Sequence, residues 1–164
     1  MAEAGPTPIL QALYRGDREE AERLRREASE LDLFEAAALG DVERLRKILE
    51  HEPEAVRVWS FDGFTALHYA AYFDGPDAAR ILIERGADVE AVSRNEEFAR
   101  EARPLHSAVA ARRTDVAVVL LEAGADPNAR QHEGFTPLMA AEQSGDLDLA
   151  ETLIRHGALA DGAA

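Results

Sequence analysis

Short apolar stretches occur in pairs along this chain, and a polar turn separates the members of each pair. Residues 67–73 are followed by residues 78–83, and residues 138–141 by residues 149–154. Each pair predicts two short helices joined by a turn. Two such helices cannot bury their own apolar faces, but stacked copies of the pair can bury them against one another.

Helix-start and helix-stop residues mark the ends of these stretches. Thr65 and Thr136 precede the first helix of two pairs, where a hydroxyl satisfies an unbonded backbone N–H group. Asp32 lies three residues before Glu35, which is the spacing of a capping box. A glycine that suits a left-handed cap follows each second helix. These glycines are Gly86, Gly124 and Gly157.

The segment that opens each pair returns at a fixed spacing. It reads Gly-Phe-Thr-Ala-Leu-His-Tyr-Ala-Ala at residues 63–71 and Gly-Phe-Thr-Pro-Leu-Met-Ala-Ala at residues 134–141. A third version, Arg-Pro-Leu-His-Ser-Ala, includes Pro104, which lies 33 residues before Pro137. A period of this size indicates stacked supersecondary units.

These openings, with the Gly-Ala-Asp ending at residues 124–126, resemble the ankyrin repeat family, in particular a small bacterial-type member. The resemblance covers residues 32–160 firmly and residues 7–31 weakly. It implies an all-α ankyrin-repeat solenoid of stacked helix-turn-helix units with finger loops, with four clear repeats and an N-terminal helical cap. It also implies that His68 and His106 tether the finger loops by hydrogen bonds.

The 164 residues predict a single domain. Its expected parts are degenerate N-terminal capping helices (7–30), repeat 1 (31–61), repeat 2 (62–91), repeat 3 with a five-residue insertion (92–130), and repeat 4 with a C-terminal cap (131–164). The alternative for residues 7–30 is a loose charged tail. One position recurs in the second helix of each repeat, and it is polar only in the first and last repeats. It is occupied by Lys47, Ile81, Val119 and Thr152. Because terminal repeats need a polar outer face, we expect the chain to hold a whole array.

Charge and composition narrow the possible partners. The formal net charge is −14, from 32 acidic and 18 basic residues, which argues against nucleic acid and anionic membranes as partners. Cysteine is absent, and no apolar run reaches the roughly 18 residues of a transmembrane helix. No signal pattern stands at the N-terminus. We therefore expect a soluble, cytoplasmic monomer, and the preference for arginine over lysine suggests a bacterial source.

The candidate chemistry is sparse. His68 and His106 hold the same place in two repeats, but no His-x-x-x-His spacing supplies further metal ligands. No phosphate-binding glycine loop or Gly-x-Ser-x-Gly motif is present. We therefore expect no enzyme activity, no cofactor and no metal. The alternative is a small-ligand- or metal-binding accessory protein that uses His68 and His106.

Aromatic residues are concentrated in one part of the chain, with six of the ten between residues 59 and 73. The family resemblance implies a concave binding face made by the finger tips and the first helices. The residues expected on it are Phe61, Asp62, Phe64, Tyr72, Phe73, Ala110, Ala111, Arg130, His132, Glu133, Phe135, Gln143 and Ser144. We expect this aromatic and acidic face to bind another protein, with a basic segment as the partner that its charge favours. The alternative is that the rings pack as core.

The insertion carries one aromatic residue, Phe98, among the charged residues 94–100. We expect the segment to project from the finger side and to form one helical turn. Phe98 is either a contact point for a partner or folds back onto Phe64 or Phe135. Because loop length enters stability only logarithmically, trimming residues 94–98 is expected to cost little stability.

Overall fold

The computed structural model describes residues 5–73 and 75–160. In these residues the chain forms ten α-helices and no β-strand, apart from one isolated bridge between Trp59 and Thr65. The helices are α1 Pro8–Tyr14, α2 Arg18–Glu27, α3 Leu33–Leu39, α4 Val42–His51, α5 Ala66–Phe73, α6 Pro76–Glu84, α7 Pro104–Ala110, α8 Thr114–Glu122, α9 Pro137–Gln143 and α10 Leu147–Arg155. Short 3-10 turns occupy Pro53–Arg57 and His132–Gly134.

The helices stack in two layers. The first helices of successive pairs, α1, α3, α5, α7 and α9, each contact the next, and α4, α6, α8 and α10 do the same in the second layer. Leu45, Leu82, Leu120 and Leu153 occupy equivalent positions in the second layer and are fully buried. One continuous core therefore runs through the stack, and the predicted all-α repeat solenoid is confirmed.

The N-terminal segment belongs to the stack. Thr7 caps α1 by accepting a hydrogen bond from the Leu10 amide over 3.3 Å, and Asp17 caps α2 through the Glu20 amide over 3.0 Å. The apolar side of α1, which includes Ile9, is buried against the first layer. The helical cap is thus present, and the alternative of a loose charged tail is wrong.

The four later pairs begin in the same way. In each of them, the side chain of the third helical residue accepts a hydrogen bond from the backbone N–H of the residue before the helix. The accepting residues are Glu35, His68, His106 and Met139, over 3.0, 3.2, 3.2 and 3.4 Å respectively. Asp32 completes the capping box by accepting from the Glu35 amide over 2.8 Å. These bonds fix where each first helix starts.

The insertion does not form the helical turn expected from its sequence. The Ser93 amide instead donates to the Ala102 carbonyl over 2.7 Å and closes a loop of irregular backbone. Asn95 organises this loop, because its Oδ1 accepts from the amides of residues 97, 98 and 99 over 3.1, 2.9 and 3.2 Å. Its Nδ2 donates to the Asp62 carbonyl over 3.1 Å. The buried Asn95 side chain therefore fixes both the loop and the preceding finger.

Gly63 allows this finger and the insertion to approach closely. Its φ is +84°, and a Cβ there would lie 2.6 Å from both the Arg94 carbonyl carbon and the Asn95 nitrogen. The Arg94 amide donates to the Gly63 carbonyl over 2.8 Å. A larger residue would separate the two loops.

The C-terminal end differs from the expected polar face. Thr152 is buried, and its hydroxyl donates to the Asp148 carbonyl over 2.8 Å. Thr152 therefore does not supply the polar outer face that was expected at this end. α10 also exposes Leu147 by 77% and Ile154 by 54%.

Candidate functional site

A cavity of about 320 Å³ opens between the first-layer helices and the connecting loops. We call it the aromatic groove. It is lined by six aromatic residues (Tyr14, Phe64, Tyr69, Tyr72, Phe73 and Phe98), four small residues (Ala99, Ala102, Ser107 and Ala110), and His68, His106 and Gln131. The lining comes from α1, α5, α7, the finger before α5, the insertion and the finger before α9, so only the stacked fold creates it.

The rings divide into a buried floor and an exposed rim. Phe64 and Phe73 are 7% and 8% exposed and belong to the core. Phe98 is 70% exposed and Tyr72 is 44% exposed, and both stand at the rim. The Phe64 and Phe98 ring centroids lie 6.0 Å apart, and those of Tyr72 and Phe73 lie 5.1 Å apart, so floor and rim form one cluster.

This division changes the roles predicted for two residues. Phe64 and Phe73 were expected on the open binding face, but their rings are mostly covered by neighbouring aromatic side chains. Phe64 lies 6.4 Å from Tyr69 in an edge-to-face arrangement, and Phe73 lies 5.4 Å from Tyr14. They offer the groove an apolar floor. Phe98 was expected either to contact a partner or to fold back onto Phe64 or Phe135. Its ring packs against Phe64 and still remains exposed, so both roles are open to it.

Other predicted site residues lie outside the groove. Phe61 and Asp62 lie in a neighbouring recess. The remaining five are Arg130, His132, Glu133, Phe135 and Gln143, and none of them lines the cavity. Within this set, Arg130 Nη1 donates to the Gly134 carbonyl over 2.8 Å, and His132 Nε2 accepts from Arg100 over 3.2 Å. The groove is therefore centred on α5 and α7.

Sequence reasoning missed Tyr14 as a site residue. Its hydroxyl donates to Asp62 Oδ2 over 2.6 Å, across 48 residues of sequence. Ser60 and Tyr69 also donate to the Asp62 carboxylate, Tyr69 over 2.9 and 3.0 Å to its two oxygens. Burial raises the pKa of both tyrosines above their ordinary value, and the hydrogen bond to Asp62 raises that of Tyr14 further. Both therefore remain hydroxyl donors near neutral pH.

The open recess beside the groove has a volume of about 890 Å³ and contains several acidic side chains. We call it the acidic recess. It is lined by Pro6, Tyr14, Trp59, Ser60, Phe61, Asp62, Gly63, Arg94, Asn95, Glu96, Glu97 and Phe98. The Arg94 guanidinium carbon lies 3.6 Å from the centroid of the Trp59 ring, so its positive charge is stacked on that ring.

The two buried histidines connect successive helix pairs. His68 Nε2 bonds the Ala102 carbonyl and His106 Nε2 bonds the Ala129 carbonyl, both over 3.1 Å. Nδ1 of each ring accepts from the backbone N–H before its own helix, and His68 Nδ1 also bonds the Thr65 hydroxyl over 2.8 Å. Nδ1 is thus the acceptor and Nε2 carries the proton.

Burial lowers the pKa of both histidines to about 4, so the rings are neutral near pH 7. All four ring nitrogens are occupied by hydrogen bonds, and a metal would have to break them. Within the described part of the chain, no three His, Asp or Glu side chains form a group that could hold a metal ion. The geometry is that of two structural tethers.

Comparison with known proteins identifies the repeats. A family model described as "Ankyrin repeats (3 copies)" matches residues 1–93, 33–131 and 91–162. The human Neurogenic locus notch homolog protein 4 is 35% identical over 92% of this chain, which spans 7% of that protein. A probable E3 ubiquitin-protein ligase from rice, XBOS31, is 33% identical over 84% of the chain and 30% of its own length.

A third relative is the mouse B-cell lymphoma 3 protein homolog, 36% identical over 63% of this chain and 22% of its own length. The chain thus spans less than a third of each of these relatives, and the similarity lies in the repeats. None of the helices in residues 5–73 and 75–160 is long and apolar enough to cross a membrane. The family matches cover the chain from residue 1 to residue 162, and the chain belongs to the ankyrin repeat family.

Proposed function

We propose that this chain is a protein-binding module whose contact surface is the aromatic groove and its acidic surroundings. The observation that carries the proposal is the exposed rim of Tyr72 and Phe98 above an apolar floor. Aromatic residues that border a desolvated pocket are frequent anchors of protein interfaces.

The stacked helices favour binding without rearrangement. The groove floor is core, and the insertion that carries Phe98 is fixed by Asn95 and Gly63. A surface that is already ordered loses little conformational entropy when a partner binds. The groove therefore supports recognition of a segment that inserts an apolar side chain.

The proposal extends to the wider role of the chain. The partner is another protein rather than a nucleic acid, and the charge of −14 favours a basic segment and speeds its approach. We propose one ankyrin-repeat domain that acts as a monomer and has no catalytic activity of its own. The metal-binding alternative is disfavoured because His68 and His106 are occupied as tethers. The cytoplasmic location and bacterial source remain predictions.

Affinity capture with paired variants tests the proposal. The tagged chain is incubated with a lysate of its source organism, and bound proteins are identified by mass spectrometry. We expect Tyr72→Ala/Phe98→Ala to lose a protein that the unaltered chain retains. The control is Leu147→Ala/Ile154→Ala, which removes equally exposed apolar side chains from α10. Retention of every bound protein by the groove variant, with unchanged thermal unfolding, would contradict the proposal.

A further inference from the structure

The aromatic groove and the acidic recess share a wall. Tyr14 and Phe98 line both spaces, so one side of each residue borders the apolar groove and another borders the recess. A segment bound in the groove therefore passes directly beside the recess. The recess brings together residues from α1, the finger before α5 and the insertion.

The net charge of the recess is negative, since three carboxyl groups stand against one guanidinium. It contains Asp62, Glu96 and Glu97. The Asp62 carboxylate is held by three hydroxyl groups, and no lysine or arginine of the described residues forms an ion pair with any of these three acids. Arg94 is the basic residue of the recess, and it stacks on Trp59. A cation entering the recess would therefore meet carboxylates that are not held in ion pairs, while the one guanidinium is stacked on Trp59.

The recess also offers aromatic surfaces. Phe61 is 46% exposed and lies on its border together with Tyr14 and Phe98. Ring faces attract guanidinium and ammonium groups, and nearby carboxylates add a longer-range attraction. An acidic side chain would be repelled here, and a purely apolar one would leave the carboxylates without a partner. The chemistry that fits is the head of an arginine or a lysine.

We propose that the partner segment is bound through two side chains on one of its faces. An aromatic or large aliphatic side chain lies in the aromatic groove, and an arginine or lysine lies in the acidic recess. This inference rests on the proposed function and specifies its ligand. An extended chain advances about 3.3–3.6 Å per residue, so residues two apart lie about 7 Å apart on one face. Because the groove and the recess share the walls formed by Tyr14 and Phe98, a step of this size along the segment reaches from one space to the other. The two side chains are therefore two residues apart in the segment.

Selection from a random twelve-residue peptide library displayed on phage tests this pairing. We expect selected peptides to share an apolar residue with Arg or Lys two positions away, and to lose binding to Phe98→Ala. For a selected peptide, Glu96→Gln/Glu97→Gln should weaken binding about tenfold at low salt, as expected for the loss of two partly solvated charge contacts. Asp148→Asn/Glu151→Gln removes two exposed acids from α10 and should leave the affinity unchanged.

The possible negative results distinguish a failure of the proposed function from a failure of the two-side-chain pairing alone. If no selected peptide depends on Phe98 or Tyr72, the proposed function fails and the inference fails with it. If peptides depend on Phe98 but accept Ala or Glu at the basic position, the inference alone is overturned. It is also overturned if light scattering shows a dimer that Phe98→Ala dissociates, because a second copy would then occupy the groove.

Discussion

Acidification should destabilise this protein through the two buried histidines. Their pKa lies at about 4 in the fold against an ordinary 6.5, and burial is the main cause. The titratable groups that also influence the pKa of His68 are His106 and Asp62, and those that influence the pKa of His106 are Arg103 and Asp126. As the pH falls, the unfolded chain binds protons before the folded chain does. The stability contributed by the neutral rings is therefore complete above pH 6.5 and is lost as the pH falls towards 4.

The size of the effect follows from the difference between the two pKa values. At about pH 5 each histidine lowers the free energy of unfolding by about 2 kcal/mol relative to about pH 8, and the two together by about 4 kcal/mol. That is a large share of the typical stability of a domain. The hydrogen bond with Arg112 lowers the pKa of Asp146. Carboxyl groups of this kind therefore bind protons at a lower pH than the range in which the histidine effect develops.

Urea unfolding at a series of pH values between about 8 and 5 measures this loss directly, from the midpoint and slope of each transition. His68→Gln and His106→Gln should each lower stability at high pH and reduce the pH dependence by the share of one histidine. The control is His51→Gln, which removes an exposed histidine of α4 and leaves both tethers in place. An equal loss of stability between pH 8 and pH 5 in the parent chain and in both variants would refute this reasoning.

Three further substitutions test the placement of the aromatic floor and of the insertion. Phe64→Ala should lower the free energy of unfolding by about 3 kcal/mol or more, whereas Phe98→Ala should change it by about 0.5 kcal/mol or less. Equal thermal stabilities of the two variants would contradict the division into floor and rim. Asn95→Ala should lower the free energy of unfolding by about 2 kcal/mol or more, because it leaves several backbone groups of the loop without their partner. The control is the exposed Glu96→Ala, and an equal melting temperature of the two variants would contradict this role of Asn95.

The stack of helices could be predicted because its information is local and repeated. Each pair contains its own caps, apolar stretch and glycine stop, and the 33-residue spacing of Pro104 and Pro137 indicates stacking without any knowledge of contacts. The capping box of Asp32 and Glu35 was likewise visible from spacing alone. Local patterns of this kind are sufficient for the fold.

The site could be predicted only in part because it depends on contacts between distant residues. Tyr14 joins Asp62 across 48 residues, and nothing in its helix indicates that partner. Trimming of residues 94–98 was expected to cost little stability, on the basis of loop length alone. The bonds of Asn95 to three amides and to the preceding finger instead make the loop part of the structure. Family register also could not distinguish the buried ring of Phe64 from the exposed ring of Tyr72.

The tethers made by His68 and His106 couple some boundaries of the stack more strongly than others. Each tether reaches from one helix pair to the connector of the next, whereas Glu35 and Met139, at equivalent positions, bond only the backbone before their own helices. Proteins open locally where such links are fewest, and repeat arrays do so unit by unit. Opening should therefore begin in the N-terminal pairs, α1–α2 and α3–α4, while the pairs from α5 to α10 remain joined through tethered connectors. Because Tyr14 of α1 lines the groove, such an opening removes one wall of the groove while α5 keeps the floor in place. A bound segment that contacts Tyr14 would in turn hold the N-terminal pair closed.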